Sequence, residues 1–259
     1  MTGQESFIEI DDCRTLLRRA GAGAPILFLH GLGGVPRWLP FFDKLAATFD
    51  VMVPDHPSFG RSATPSWLDD VSDLAYYYLD VIDALKLERP HVIGHSVGGW
   101  IGLEMAIRAS ASLGSLTLIG SAGIRIKGLP AANTFFMDRG QLARASYVDP
   151  ALAEDELAAV LSPEQVDEMV ANNVAIARLG WHPRFFNPAL RKWLHRVTAP
   201  AHIVWGAEDK IIPPAYADEF ERLIRGASVT MVPRAGHLPH VEKADEVAAA
   251  VTTFIHRHC

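Results

Sequence analysis

Three features of this 259-residue chain predict an α/β fold, a mostly parallel, doubly wound sheet with helices on both faces. A continuous apolar run at residues 26–29, the mark of a strand covered on both sides, is followed by further short strand-like stretches at 51–53, 91–95 and 113–119. Between them lie stretches with helical periodicity, as the crossovers of a parallel sheet require. The alternation stops after residue 122 and resumes at 201, so the core is read as residues 1–122 and 199–259. Residues 123–198 are then a helical insertion placed after the sixth strand.

Taken in order, residues 7–10 and 14–18 read as two short strands joined at Asp11-Asp12 into a hairpin. A turn at residues 21–25 leads into the apolar run Ile26-Leu27-Phe28-Leu29, which passes directly into His30-Gly31-Leu32-Gly33-Gly34. A short helix is expected at 38–47. Residues 51–53 form a second buried strand that ends in a loop of turn formers, Asp55-His56-Pro57-Ser58-Phe59-Gly60. From 70 to 86 the positions Leu74, Tyr78, Val81, Ile82 and Leu85 mark one helical face. Pro90 closes the connection into strand 91–95, a helix runs on to about 109, and a strand follows at 113–119. Inside the insertion, helical pieces are expected at 151–161, 163–179 and 188–197, separated by prolines. Ser162-Pro163-Glu164-Gln165 has the form of a helix start with proline in the first turn. The strand–helix rhythm returns as strand 201–205, helix 214–225, strand 228–232 and helix 244–256.

The composition is that of a chain able to bury a full core: 49% hydrophobic and 21% charged residues, with a formal net charge of −6. Both signs of charge are dispersed, and without a basic stripe nucleic acid is not expected as a partner. Cys13 and Cys259 lie near opposite ends, which is neither a disulfide framework nor metal-type spacing. The first residues lack the charge pattern of a signal peptide, and no apolar run has the length of a membrane span. A cytoplasmic protein with no membrane partner and a small-molecule substrate is expected. The sequence carries no signal for or against self-association.

The chemistry centres on Gly94-His95-Ser96-Val97-Gly98. Gly-x-Ser-x-Gly between a strand and a helix puts the serine on a sharp turn with its hydroxyl clear of the sheet. A serine hydroxyl needs a base, an acid to orient that base, and donors for the oxyanion it creates. His237, after the last strand and preceded by Gly236, is the expected base, with His240 its nearest rival. Asp209, after strand 201–205, is the expected acid, and Glu208 beside it is set aside. An acid after the preceding strand would fall at Gly120-Ser121-Ala122-Gly123, where there is no carboxylate. The oxyanion donors are expected to be the backbone N–H groups of Val97, at a helix N-terminus, and Leu32. His30 and His95 are expected to bond backbone carbonyls, and Asp55 to tie down its own loop. The His-Gly-x-Gly-Gly loop lacks the spacing of a nucleotide-binding motif. Among the aromatic residues of the insertion, Phe135, Phe136 and Trp181, with Met137, are the expected pocket wall. Arg125 and Arg178 are expected on solvated faces.

Taken together, His30 through Gly34, Asp55 through Ser62, Gly94 through Gly99, Trp205 through Asp209 and Gly236-His237 resemble the α/β-hydrolase fold superfamily over nearly the whole chain. The order Ser, Asp, His is that family's order. The resemblance implies Ser96 as nucleophile, Asp209 and His237 as its partners, Leu32 and Val97 as oxyanion donors, and the insertion as a cap over the site. It implies no metal or organic cofactor. Ser58 departs from the family's usual glycine in that loop. Ser96 argues against the aspartate-nucleophile branches, the dehalogenases and epoxide hydrolases. The activity expected is hydrolysis of a small, largely apolar ester through an acyl-enzyme. The same triad also serves carbon–carbon hydrolases of ring-fission dienones, lactonases and cofactor-free haloperoxidases, and a non-catalytic receptor is the alternative from another class.

Overall fold

The computed structural model describes residues 3–35 and 37–258; Cys259 lies outside them, and Cys13 is a buried free thiol. The strands are β1 (Gln4–Ile10), β2 (Cys13–Ala20), β3 (Pro25–Leu29), β4 (Asp50–Pro54), β5 (His91–His95), β6 (Ser115–Ile119), β7 (Ala201–Gly206) and β8 (Ser228–Val232). They form one eight-stranded sheet in the order β1-β2-β4-β3-β5-β6-β7-β8. β1 and β2 pair antiparallel, β2 pairs antiparallel with β4, and all later pairings are parallel. The hairpin closes at Asp11 and Asp12, both in the left-handed region (φ 51° and 58°), which is the two-residue turn whose twist matches that of the flanking strands.

The central strands β3 to β7 are buried on both faces, their successive side chains alternating between two apolar clusters, while the edge strands β1 and β8 are largely exposed or half-buried. Leu27 and Leu29 join one apolar cluster and Ile26 and Phe28 the other. The first cluster is covered by α2 (Val71–Ala84) and α3 (Val97–Ala109), the second by α1 (Pro40–Ala46) and α10 (Ala244–His256). Phe28 illustrates the second: its ring meets Phe42 edge-on at 4.8 Å. Two strand histidines make cross-strand hydrogen bonds, His91 with Ser115 (2.9 Å) and His202 with Thr230 (2.9 Å). Burial pushes both down to about 4.

Between β6 and β7 the chain is helical, with α4 (Arg139–Ser146), α5 (Pro150–Ala158), α6 (Pro163–Gly180) and α7 (Leu190–Trp193). Apart from isolated bridges at Gly123–Phe186 and Ile126–Leu129, no strand interrupts it among the described residues. Ser162 caps α6 as its sequence predicts: Gln165 N–H donates to Ser162 Oγ and Ser162 N–H donates to Gln165 Oε1. Two elements differ from expectation. α4 has no apolar stripe to announce it, since only Ala143 and Ser146 are buried; Asp138 and Gln141 close a capping box at its start instead. The helix expected at 188–197 is α7 followed by a single 3₁₀ turn, Leu194–Arg196. The last helices are α8 (Ala215–Leu223), the short α9 (Pro239–Glu242) and α10. Among the described residues, no helix is long and apolar enough to cross a membrane.

Strand order reverses at β3: the chain steps from β3 to β4 on one side and then to β5 on the other. Such a switch point opens a crevice at the carboxyl ends of the two strands. The loops that leave β3 and β5 begin at His30 and Ser96.

Candidate active site

Ser96 sits between β5 and α3 with φ 54° and ψ −114°, a conformation a side-chain-bearing residue adopts only under strain. Surrounding contacts hold it there. Ser96 N–H donates to Ile119 O (2.9 Å), and Ser96 O accepts from Gly99, Trp100 and Ala122. The flanking glycines are required by close approach: a Cβ on Gly98 would lie 2.0 Å from Leu29 O, and one on Gly94 would lie 2.3 Å from Gly98 O.

Three residues far apart in sequence form one hydrogen-bonded row. His237 Nε2 lies 3.0 Å from Ser96 Oγ, and His237 Nδ1 lies 2.8 Å from Asp209 Oδ2. The other carboxylate oxygen, Asp209 Oδ1, accepts from the backbone N–H groups of Ile211 (2.8 Å) and Ile212 (2.9 Å). The carboxylate only accepts from these neighbours, so Nδ1 of His237 carries its proton and Nε2 presents a lone pair to the serine. All three residues are buried.

The loop after β3 runs beside this row. A Cβ on Gly31 would come within 3.2 Å of Ser96 Cβ. Gly31 O accepts from Gly34 N–H (3.1 Å) and His30 Nδ1–H (2.7 Å). Neither Leu32 N–H nor Val97 N–H has a hydrogen-bond partner among the described residues. A small cavity of about 20 Å³ lies against Ser96 and Leu32, space for about one water.

Residues 26–250 match the alpha/beta hydrolase family. The chain belongs to that family. It is 31% identical over 248 residues to the dihydrolipoyllysine-residue acetyltransferase component of the acetoin cleaving system of Pseudomonas putida, covering 91% of this chain and 64% of that protein. The chain thus spans less than two thirds of that relative's length. It is 29% identical over 273 residues to a 2-hydroxymuconate semialdehyde hydrolase of Pseudomonas sp. (strain CF600), covering 93% of this chain and 90% of that one. The meta-cleavage product hydrolase of Pseudomonas fluorescens IP01 superposes with a TM-score of 0.82 at 21% identity, over 99% of this chain and 98% of that one. At that identity the likeness speaks to the fold alone.

The structure departs from the sequence reading in the wall beside Ser96. None of Phe135, Phe136, Met137 or Trp181 lines the cavity at Ser96. Phe136 is 74% exposed and Trp181 is 50% exposed, while Phe135 packs behind the wall, stacked on Phe185 at 5.0 Å. The insertion's share of the wall is Ala131, Ala132, Thr134 and Phe185; Ile211 and Ile212 complete it from the core. Alanines carry no pattern that marks a pocket. The signal for Ile211 and Ile212 is their place two and three residues after Asp209, to which both donate their N–H groups. A larger hollow of about 360 Å³, bounded by Glu104, Arg108, Asn187 and Trp193, contains no member of the hydrogen-bonded row. Arg178 pairs with Asp69 at 3.6 Å, and Arg125 lies over the Phe186 ring; neither lines the cavity.

Four other buried histidines pack or bond near this row. His56 N–H donates to His30 Nε2 (3.0 Å), and the His56 ring bonds His30 O and the Tyr78 hydroxyl through its two nitrogens. The two rings stack at 3.7 Å. Burial lowers His30 below its ordinary value and His56 well below it. His95 Nε2 bonds His237 O (2.9 Å), as expected of a carbonyl-bonding histidine, and burial holds it well below the usual range. His240, the rival base, packs against His95 and Phe41; it makes no bond in the row, and burial pushes it down to about 3. Glu208 is exposed.

Asp55 Oδ2 accepts from Arg61 N–H in its own loop (3.3 Å), and Asp55 Oδ1 also meets the buried Arg18 guanidinium at 2.6 Å. Ser58, where the resemblance leads one to expect glycine, takes φ 73° and buries a hydroxyl that has no partner among the described residues. Glu242 escaped the sequence reading. Its carboxylate accepts from Gly236 N–H, beside His237, and from Val148 and Asp149 N–H in the insertion. His237 N–H in turn donates to Ser146 O (2.8 Å) at the end of α4.

Proposed function

We propose that this enzyme hydrolyses a small, uncharged, largely apolar carboxylic ester through an acyl-enzyme on Ser96. The observation that carries the reading is the row Ser96–His237–Asp209, oriented by two backbone donors to Asp209, beside a wall without a charged side chain. His237 Nε2 takes the hydroxyl proton as Ser96 Oγ adds to the ester carbonyl. The oxygen that becomes negative is met by the N–H groups of Leu32 and Val97, the latter at the N-terminus of α3. Collapse expels the alcohol, which takes the proton from His237. Water then adds to the acyl-enzyme with His237 again as base, releasing the acid and restoring Ser96. In this reading residues 123–198 act as a cap: Ala131, Ala132, Thr134 and Phe185 face the serine from above the sheet and set which acyl or alcohol group fits.

A second reading, carbon–carbon bond hydrolysis, draws support from the relative that acts on 2-hydroxymuconate semialdehyde and aligns over almost its whole length. That name denotes a carboxylate, which an apolar site accepts only with a countercharge. The wall here offers only the hydroxyls of Ser96 and Thr134 as polar side chains, so the ester reading is preferred. Purified Ser96→Ala is expected to lower kcat on p-nitrophenyl acetate by about 10⁴-fold or more, and a fluorophosphonate probe is expected to label Ser96 in the wild type. Undiminished turnover by Ser96→Ala would remove the assignment. Product analysis on an ester, a lactone and a dienone supplied side by side separates the two readings.

A further inference from the structure

Asn172 lies in the middle of α6, where asparagine favours the helix less than alanine or leucine does, yet it is buried. Its amide joins two loops of the core. Gly60 N–H donates to Asn172 Oδ1 (2.7 Å), and Asn172 Nδ2 donates to Gly33 O (3.1 Å). Gly60 N–H can only donate, which fixes the orientation of the amide and leaves its NH₂ for Gly33. The packing is close: a Cβ on Gly34 would lie 2.7 Å from Asn172 Nδ2. One turn earlier on α6, Glu168 reaches Arg61 of the second loop at 3.7 Å.

The bond to Gly33 O leads to the serine through two peptide planes. In a trans peptide the C=O and N–H point in opposite directions. Asn172 holds the C=O of the Gly33–Gly34 peptide, and the N–H of that same peptide donates to Gly31 O. Gly31 O belongs to the Gly31–Leu32 peptide, whose own N–H is that of Leu32. Holding the first plane therefore sets the second, and with it the direction of the Leu32 N–H. We propose that Asn172 is a positioning residue that aims the Leu32 oxyanion donor, so that the donor is in place when α6 is seated on the core. The proposal rests on the acyl-enzyme reading above.

Asn172→Asp keeps an acceptor for Gly60 and removes the donor to Gly33. The assay measures kcat and KM on p-nitrophenyl butyrate and Ki for an aryl trifluoromethyl ketone, whose serine adduct places an oxyanion where the ester's would form. The expected result is a fall in kcat of about 10- to 100-fold, somewhat less than the loss of an entire oxyanion donor. Ki should rise in parallel and KM should stay within about threefold, because the donor acts on the tetrahedral state and not on the bound ester. Asn172→Ala, which buries no new charge, is expected to behave alike and serves if Asn172→Asp does not fold. A cooperatively folded variant that keeps wild-type kcat and Ki, or loses only KM or melting temperature, would overturn the proposal. Ser96→Ala is run beside them. If it retains turnover the acyl-enzyme reading fails and takes this proposal with it, whereas its inactivity beside an unaffected Asn172 variant rejects the positioning role alone.

Discussion

The serine turn and the wall that faces it are built in opposite ways. The turn is made by neighbours in sequence: one left-handed residue, Ser96, and glycines at 94 and 98 whose missing side chains let β5, α3 and β3 approach. The wall is made by residues that share only their final location, Leu32 from one loop, Ala122, Ala131, Ala132, Thr134 and Phe185 from a second region, Ile211 and Ile212 from a third. The turn is consequently rigid and intolerant of change, because backbone meets backbone there. The wall meets the substrate space with side chains that can be exchanged. On the proposed acyl-enzyme reading, chemistry is entrusted to the first and selectivity to the second.

The contrast is broken most directly at Gly98. In Gly98→Ala the new methyl would meet the Leu29 and His30 carbonyls at 2.0 and 2.6 Å, and neither is a flexible chain end. Expected is a loss of about 4 kcal/mol or more, or no folded protein at all, read from urea unfolding; a Gly98→Ala enzyme of normal stability would show that the turn is looser than its contacts imply. A smaller effect sharpens the other side. Phe185→Ala should leave a folded enzyme, destabilised by about 1–3 kcal/mol, that prefers a longer acyl chain. The ratio of kcat/KM for p-nitrophenyl hexanoate over acetate is expected to rise by about 10-fold, the scale of one or two methylenes in an apolar pocket. An unaltered chain-length profile would remove Phe185 from the acyl wall.

The same contrast explains what could be read beforehand. The sheet, the hairpin at Asp11-Asp12, the capped start of α6 and the row Ser96–Asp209–His237 were all legible, because each rests on local pattern or on a position after a strand. The pocket wall was not, since size and aromaticity drew attention to Phe136 and Trp181 while the cavity is lined largely by alanine and isoleucine. Glu242 and Asn172 were hidden for a related reason. Each acts by bonding backbone groups remote in sequence, Val148 for one and Gly33 for the other, and no motif advertises such a bond. α4 escaped because capping, not an apolar stripe, defines it. Asp55 was read halfway: its loop bond was foreseen, its partner Arg18 on β2 was not.

The buried histidines have a consequence for life in acid. His30, His56, His91, His95, His202 and His240 are all held below their ordinary range, with burial the largest cause in each case. In an unfolded chain they would take up protons near pH 6.5; in the fold they refuse them. The stability they carry is complete above about pH 6.5 and drains as pH falls below it, by about 1.4 kcal/mol per unit for each histidine still neutral in the fold. Several such groups together consume, within about two pH units, the few kcal/mol by which a domain is stable. Acid is therefore expected to unfold the protein cooperatively, through proton uptake by these six buried histidines. Ellipticity followed from pH 7 to 4 should fall along one steep curve; a protein that keeps its native ellipticity at pH 4 would contradict it.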